Sequence, residues 1–135
     1  NAAENVIFIS YNDDQAAEIA AIDPDLMMTA SAYGDRDVAK LEARGVDRTR
    51  LIGWTGVDEP KPYAWQRLMK VGVEPAFGTL GRKGKRLDDV YLADGDGSEY
   101  DALAADGLVL LATDEPYRVA DLIRADDVGR AACGR

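Results

Sequence analysis

The groups able to do chemistry in this chain are carboxylates, cations and hydroxyls, because its 135 residues include no histidine. That excludes any Ser-His or Cys-His nucleophile pair. Cys133, alone in a Gly/Ala-rich tail, can form no internal disulfide and is expected to be inert. Gly81-Arg82-Lys83-Gly84-Lys85-Arg86 places cations on a glycine-containing loop that could attract a phosphate group. The plainer alternative is a solvated loop balanced by Asp88 and Asp89. Asp94-Gly-Asp-Gly-Ser-Glu99 begins like a calcium loop, but lacks the later ligands at the required spacing, so an acidic turn is expected. Thr113-Asp114 precedes Pro116, where a hydroxyl or carboxylate commonly caps a helix. Ser10, Thr55, Thr79, Thr113 and Asp114 all fall at the ends of apolar runs.

Composition bounds the rest. A length of 135 residues suits one domain, and 47% apolar with 30% charged residues describes a globular chain rather than a disordered one. A net charge of −9 argues against nucleic acid and against an anionic membrane surface. No apolar stretch approaches the roughly 20 residues of a bilayer span. Asn1-Ala2-Ala3 is expected to be a cut end, so the lack of a visible leader carries no weight.

Strand and helix patterns alternate along the chain. Val6–Ser10 reads as a buried strand, followed by a helix through Ala16 and Ile19 that Asn12, Asp13 or Asp14 caps. Leu26–Ser31 is a second strand; Asp35 opens a helix that ends near Gly45. Leu51–Thr55 is a third strand, and a helix runs from Lys61 or Pro62 to about Val71. Val73–Thr79 is a fourth strand, weakened by Pro75. An irregular stretch from Leu80 to Gly97 leads to a helix over 98–106, with capping-box spacing at Ser98-Glu99-Tyr100-Asp101. Gly107–Ala112 is the fifth strand, and Pro116–Arg124 the last helix. Alternation of this kind implies parallel strands joined by right-handed crossovers, with any ligand site at the carboxyl ends of the strands.

Two folds share such a pattern. A flavodoxin-like or receiver-like α/β binding module is the alternative, with Asp13-Asp14 after the first strand as its acidic pair. Against it, the third strand ends in Gly-Trp-Thr-Gly without an aspartate, the fifth has no lysine, and no glycine-rich turn follows the first. The leading expectation is a partial (β/α)8 TIM barrel, about strands 5–8 with their helices. Val6-Ile-Phe-Ile-Ser-Tyr-Asn12, Ile22-Asp-Pro-Asp-Leu26, Val71–Thr79 and Gly107–Pro116 together resemble the carboxyl-terminal half of the glycerophosphodiester phosphodiesterase barrel. Leu51–Thr55 is a further strand-like segment between the resembling ones.

The resemblance implies a parent that hydrolyses glycerophosphodiesters to an alcohol and glycerol 3-phosphate, using a divalent cation, calcium or magnesium. The family's His-Arg-Gly, Glu-x-Asp, His-Asp and Glu-x-Lys motifs are all missing, so no catalytic and no metal residue carries over. What it implies here is a substrate-side wall, with Trp54, Phe77, Arg82, Lys83 and Thr113 as pocket candidates and Phe77 in the place of the family's tryptophan. Residues 1–125 are expected to form the half-barrel and 126–135 a tail, with no turnover from this chain alone. Its partners would be the missing amino-terminal half of the barrel and, in the parent, a small phosphodiester. The isolated chain would form a homodimer that pairs edge strands or faces inner sheet to inner sheet, or it would flatten with helices on both faces.

Overall fold

The computed structural model describes residues 6–124. Five strands, β1 (Ile7–Ile9), β2 (Met27–Ser31), β3 (Leu51–Trp54), β4 (Glu74–Gly78) and β5 (Leu110–Ala112), pair in chain order, all parallel. Between and after them run α1 (Asp13–Ile22), α2 (Asp35–Glu42), α3 (Pro62–Lys70), α4 (Leu87–Tyr91), α5 (Ser98–Ala105) and α6 (Pro116–Arg124). A 3-10 turn at Arg48–Arg50 leads into β3.

Chain order decides the fold class. Right-handed crossovers that always step the same way place every helix on one face of the sheet. A doubly wound fold needs a reversal of strand order and helices on both faces; this sheet has no reversal. The sheet is a curled half-barrel, part of a (β/α)8 architecture. Leu51–Thr55, the extra segment of the sequence pattern, is a full member of it, giving five strands rather than four.

Register confirms the one-sided covering. Met28 aligns with Leu51 and Phe77 with Leu111, and these side chains join the helices in two buried clusters. In the first, Ala16 and Ala20 of α1, Val38 and Leu41 of α2, and Leu68 of α3 pack on β2 and β3. In the second, Trp65, Tyr100, Leu103 and Val119 surround Phe77. Position 53 faces the same layer by register and is glycine because Leu68 leaves no room: an added Cβ would lie 2.7 Å from a Leu68 methyl.

Residues of the opposite parity, among them Ile9, Ile52, Trp54 and Leu110, point to the concave face. Burial falls from its centre to its edges: Ile52 is 3% exposed, Leu110 37% and Ile9 65%. Here the structure departs from the sequence reading of β1. All three of its residues are exposed, although Ile-Phe-Ile is written for burial. The reason is position: β1 is an edge strand with a neighbour on one side only, and even Phe8, on the helical side by register, is 40% exposed.

Local sequence explains the remaining departures. Asn12 caps α1 by accepting the Gln15 N–H at 2.9 Å. Ser98, read as the start of a capping box, is instead the first residue of α5, behind Gly97, and the cap has no side-chain hydrogen bond. Asp96 takes the Ser98 N–H in a loop turn at 2.9 Å. The stretch from Leu80 to Gly97 contains α4, which its charged residues concealed. Pro75 lies in a central strand. It is tolerated because pairing with β5 begins one residue later, at Ala76–Leu110, so its missing N–H breaks no ladder bond.

Candidate functional site at the carboxyl ends of the strands

Three of the strand-end hydroxyls serve the scaffold. Ser10 donates both its N–H and its Oγ to the Thr29 carbonyl, at 3.1 and 2.7 Å. Thr55 does the same to Ala76, at 2.9 and 2.8 Å, and Thr79 to Ala112, at 2.9 and 3.4 Å. Each shares the parity of the helix-facing residues. The three therefore tie one strand to the next behind the sheet rather than lining its mouth. Thr55 also accepts the indole N–H of buried Trp65 at 2.9 Å.

Thr113 belongs to a larger lock. Asp88, fully buried at the start of α4, accepts the Tyr100 hydroxyl at 2.8 Å, the Thr113 hydroxyl at 2.8 Å and the Asp114 N–H at 2.9 Å. Burial, followed by the hydrogen bond to Asp88, raises the Tyr100 pKa well above that of a free phenol. The Thr113 oxygen in turn accepts the Glu115 N–H at 3.0 Å, opening α6. So the loop after β4 is fastened to the end of β5 from within the helical layer.

Arg86 fastens the same loops from outside. Its side chain, 8% exposed, meets Asp89 at 3.2 Å, Asp114 at 3.0 Å and Glu115 at 2.6 Å. Two of those carboxylates also hold the glycines of the loop: Asp114 accepts the Gly81 N–H at 3.0 Å, and Asp89 the Gly84 N–H at 2.5 Å. These backbone bonds, with Arg86 behind them, depress both aspartates below the usual carboxylate range. The sign follows: the bonds contribute stability above the unfolded-chain pKa of about 3.9, and it is lost as pH falls through the lower folded values. Urea midpoints measured from pH 7 to pH 2.5 should fall most steeply below about pH 4. Arg86→Ala should flatten that fall; an unchanged profile would remove Arg86 from the lock.

On the concave face, Trp54 lies across Gly78, where an added Cβ would meet the ring at 2.9 Å and Val57 at 2.9 Å. Leu80 borders the same spot, 3.4 Å from that position, and Gly81 begins the basic loop next to it. Gly78→Ala should displace the Trp54 ring toward solvent and red-shift its emission. A spectrum identical to wild type would show that the ring does not rest there.

At the other end of the mouth, Tyr11, Asn12, Asp13, Asp14, Ser31 and Arg44 line an open depression of about 430 Å³. Its carboxylates are engaged: Asp13 with Lys40 at 2.5 Å, and Asp14 with Arg44.

The five pocket candidates thus separate. Trp54 faces the concave side, and exposed Arg82 and Lys83 stand on the adjoining loop. Phe77 is fully buried on the helical side against Trp65, ring centroids 5.8 Å apart, and Thr113 is consumed by the Asp88 lock. Asp94, Asp96 and Glu99 bring carboxylates within 4.8 Å of one another. They flank Gly97, which packs against Leu122 of α6, and Asp94 and Asp96 receive the loop N–H groups of Asp96 and Ser98. Of the strand-end carboxylates, Asp13, Asp14 and Asp114 are paired with cations. The mouth carries the exposed positive charges of Arg82 and Lys83, and the sequence has no imidazole to move a proton.

Trp65, Asp88 and Tyr100 were not foreseen as a polar framework. One signal was available for Asp88: it stands four residues before Leu92, on the buried face of a short amphipathic turn. Cys133 and the 125/126 boundary lie outside the described residues.

No helix among the described residues is long and apolar enough to cross a membrane. Neither a family profile nor a curated protein matches the sequence. Among solved structures, a glycerophosphoryl diester phosphodiesterase from Parabacteroides distasonis ATCC 8503 is similar, with a TM-score of 0.65 at 17% identity. The match covers 89% of this chain and 41% of that one. Likeness at such identity is a likeness of fold: the chain folds as a (β/α) half-barrel similar to part of that structure, and spans less than half of its length.

Proposed function

We propose that this chain is the carboxyl-terminal wall of a glycerophosphodiester phosphodiesterase-like hydrolase, whose catalytic residues stand on a facing wall outside these 135 residues. One observation carries it. The strands at both open edges are apolar on the concave side, with Ile9 65% and Leu110 37% exposed, as if shaped for neighbours that these residues do not supply. The absence of histidine from the sequence and the fold of the Parabacteroides enzyme support the same division.

In this proposal the facing wall provides the acid, the base and the carboxylates for calcium or magnesium. That cation would polarise the phosphate and offset transition-state charge. This chain's own part is to close the barrel, to present Trp54 as an apolar floor, and to attract the phosphodiester with Arg82 and Lys83. Phe77 and Thr113 contribute from behind the sheet, by packing and by fixing the loop. In the isolated chain a second copy would cover the concave face, since large apolar faces rarely stay exposed.

The test is the coding sequence immediately upstream of Asn1. His-Arg-Gly and Glu-x-Asp should occur within about 100–150 codons, the span of one half-barrel. An unrelated domain there, or release of alcohol from a glycerophosphodiester by this chain with calcium or magnesium, would refute the division.

A further inference from the structure

We infer that the loop Gly81–Lys85 is an anion-docking site in its own right, taking a phosphate group without help from the facing wall. It deepens the hydrolase proposal and rests on it only for the choice of ligand. Three features of the loop support it.

The first is the fate of its charges. Arg82, Lys83 and Lys85 are exposed and make no ion pair within 4 Å among the described residues, whereas neighbouring Arg86 holds three carboxylates at once. Asp88, which the sequence offered as a balancing charge, is buried and satisfied by two hydroxyls and an N–H. Asp89 is near enough to feel Lys83, but its oxygens are taken by the Gly84 N–H and Arg86. The nearby carboxylates are thereby engaged, and three exposed cations remain on the loop. In a chain of net charge −9 this surplus is the local exception.

The second is preorganisation. Gly81 and Gly84, both at positive φ (147° and 83°), are pinned through their N–H groups by Asp114 and Asp89. A loop fixed before binding loses less conformational entropy on docking a ligand. The third is location: the loop leaves the carboxyl end of β4 next to the Trp54–Gly78 floor, where parallel barrels commonly take phosphate. The ligand class is therefore a small phosphate ester, with its charge on the loop and its organic part toward Trp54.

Titration of the 135-residue chain with inorganic phosphate, and separately with glycerol 3-phosphate, followed by 1H–15N shifts, tests this. Saturable shifts at residues 81–85 are expected with both, and none with chloride at matched ionic strength. The triple change Arg82→Ala, Lys83→Ala, Lys85→Ala should weaken binding by about tenfold or more, and Lys83→Arg should preserve it. Shifts equal in chloride, or unchanged in the triple variant, would overturn the inference. So would association only with vesicles containing anionic phospholipid, because the source would then be a membrane surface rather than a soluble ester. Loss of the upstream motifs would sink the hydrolase proposal and leave this binding untouched.

Discussion

Asp88→Ala is expected to destabilise the chain by about 3–5 kcal/mol, the largest effect of any single polar substitution in it. Three donors converge on that carboxylate, and removing it strands the Tyr100 hydroxyl, the Thr113 hydroxyl and the Asp114 N–H. A buried donor such as the Tyr100 hydroxyl costs about 1–3 kcal/mol when left without an acceptor, and the two part-buried donors cost less. Typical domains have only about 5–15 kcal/mol in total, so the variant should melt about 10–18 °C lower or remain partly unfolded. Asp88→Asn should lose less, about 1–2 kcal/mol, because its carbonyl oxygen still accepts while its amide faces a donor. Tyr100→Phe removes one donor along with its bond and should cost about 1 kcal/mol. Urea denaturation monitored by circular dichroism orders the three variants. If Asp88→Ala matched Tyr100→Phe, the convergence of donors would have no energetic meaning.

Trp65→Ala should cost about 3–5 kcal/mol, for a different reason. The side chain is fully buried between α3 and β4, against Phe77, and its removal leaves a large cavity. Trp65→Phe keeps most of that volume but loses the N–H to Thr55, which still donates to the Ala76 carbonyl. Its cost should be about 1–2 kcal/mol, separating hydrogen bond from packing. Similar losses for the two variants, read from the same urea curves, would contradict a packing role for the indole.

How much of this was legible in the sequence follows from which interactions are local. Helix and strand periodicity placed all five strands and the longer helices, because each buries one face and the pattern repeats within a few residues. The parity of Phe77 could also be read from alternation, since it shares its face with Val73 and Pro75. Its direction could not, because alternation alone does not say which face meets the helices. Asp88 was missed because its partners, Tyr100 and Thr113, are 12 and 25 residues away. Residues so far apart meet only through the βα geometry. Arg82 and Arg86 looked alike in one basic run; the fold separates them, giving Arg86 three carboxylates and Arg82 none. The exposed Ile7–Ile9 edge is the converse case. Its apolar residues are not buried by the described residues.

Sedimentation velocity at micromolar concentration tests most directly whether the concave face needs a cover. A dimer is expected for the isolated 14.6 kDa chain, shifting to monomer when Ile9→Asp and Leu110→Asp place charges on the two open edges. A single monomeric species for the unaltered chain, folded and unfolding cooperatively, would contradict the claim that this sheet is one wall of a larger barrel.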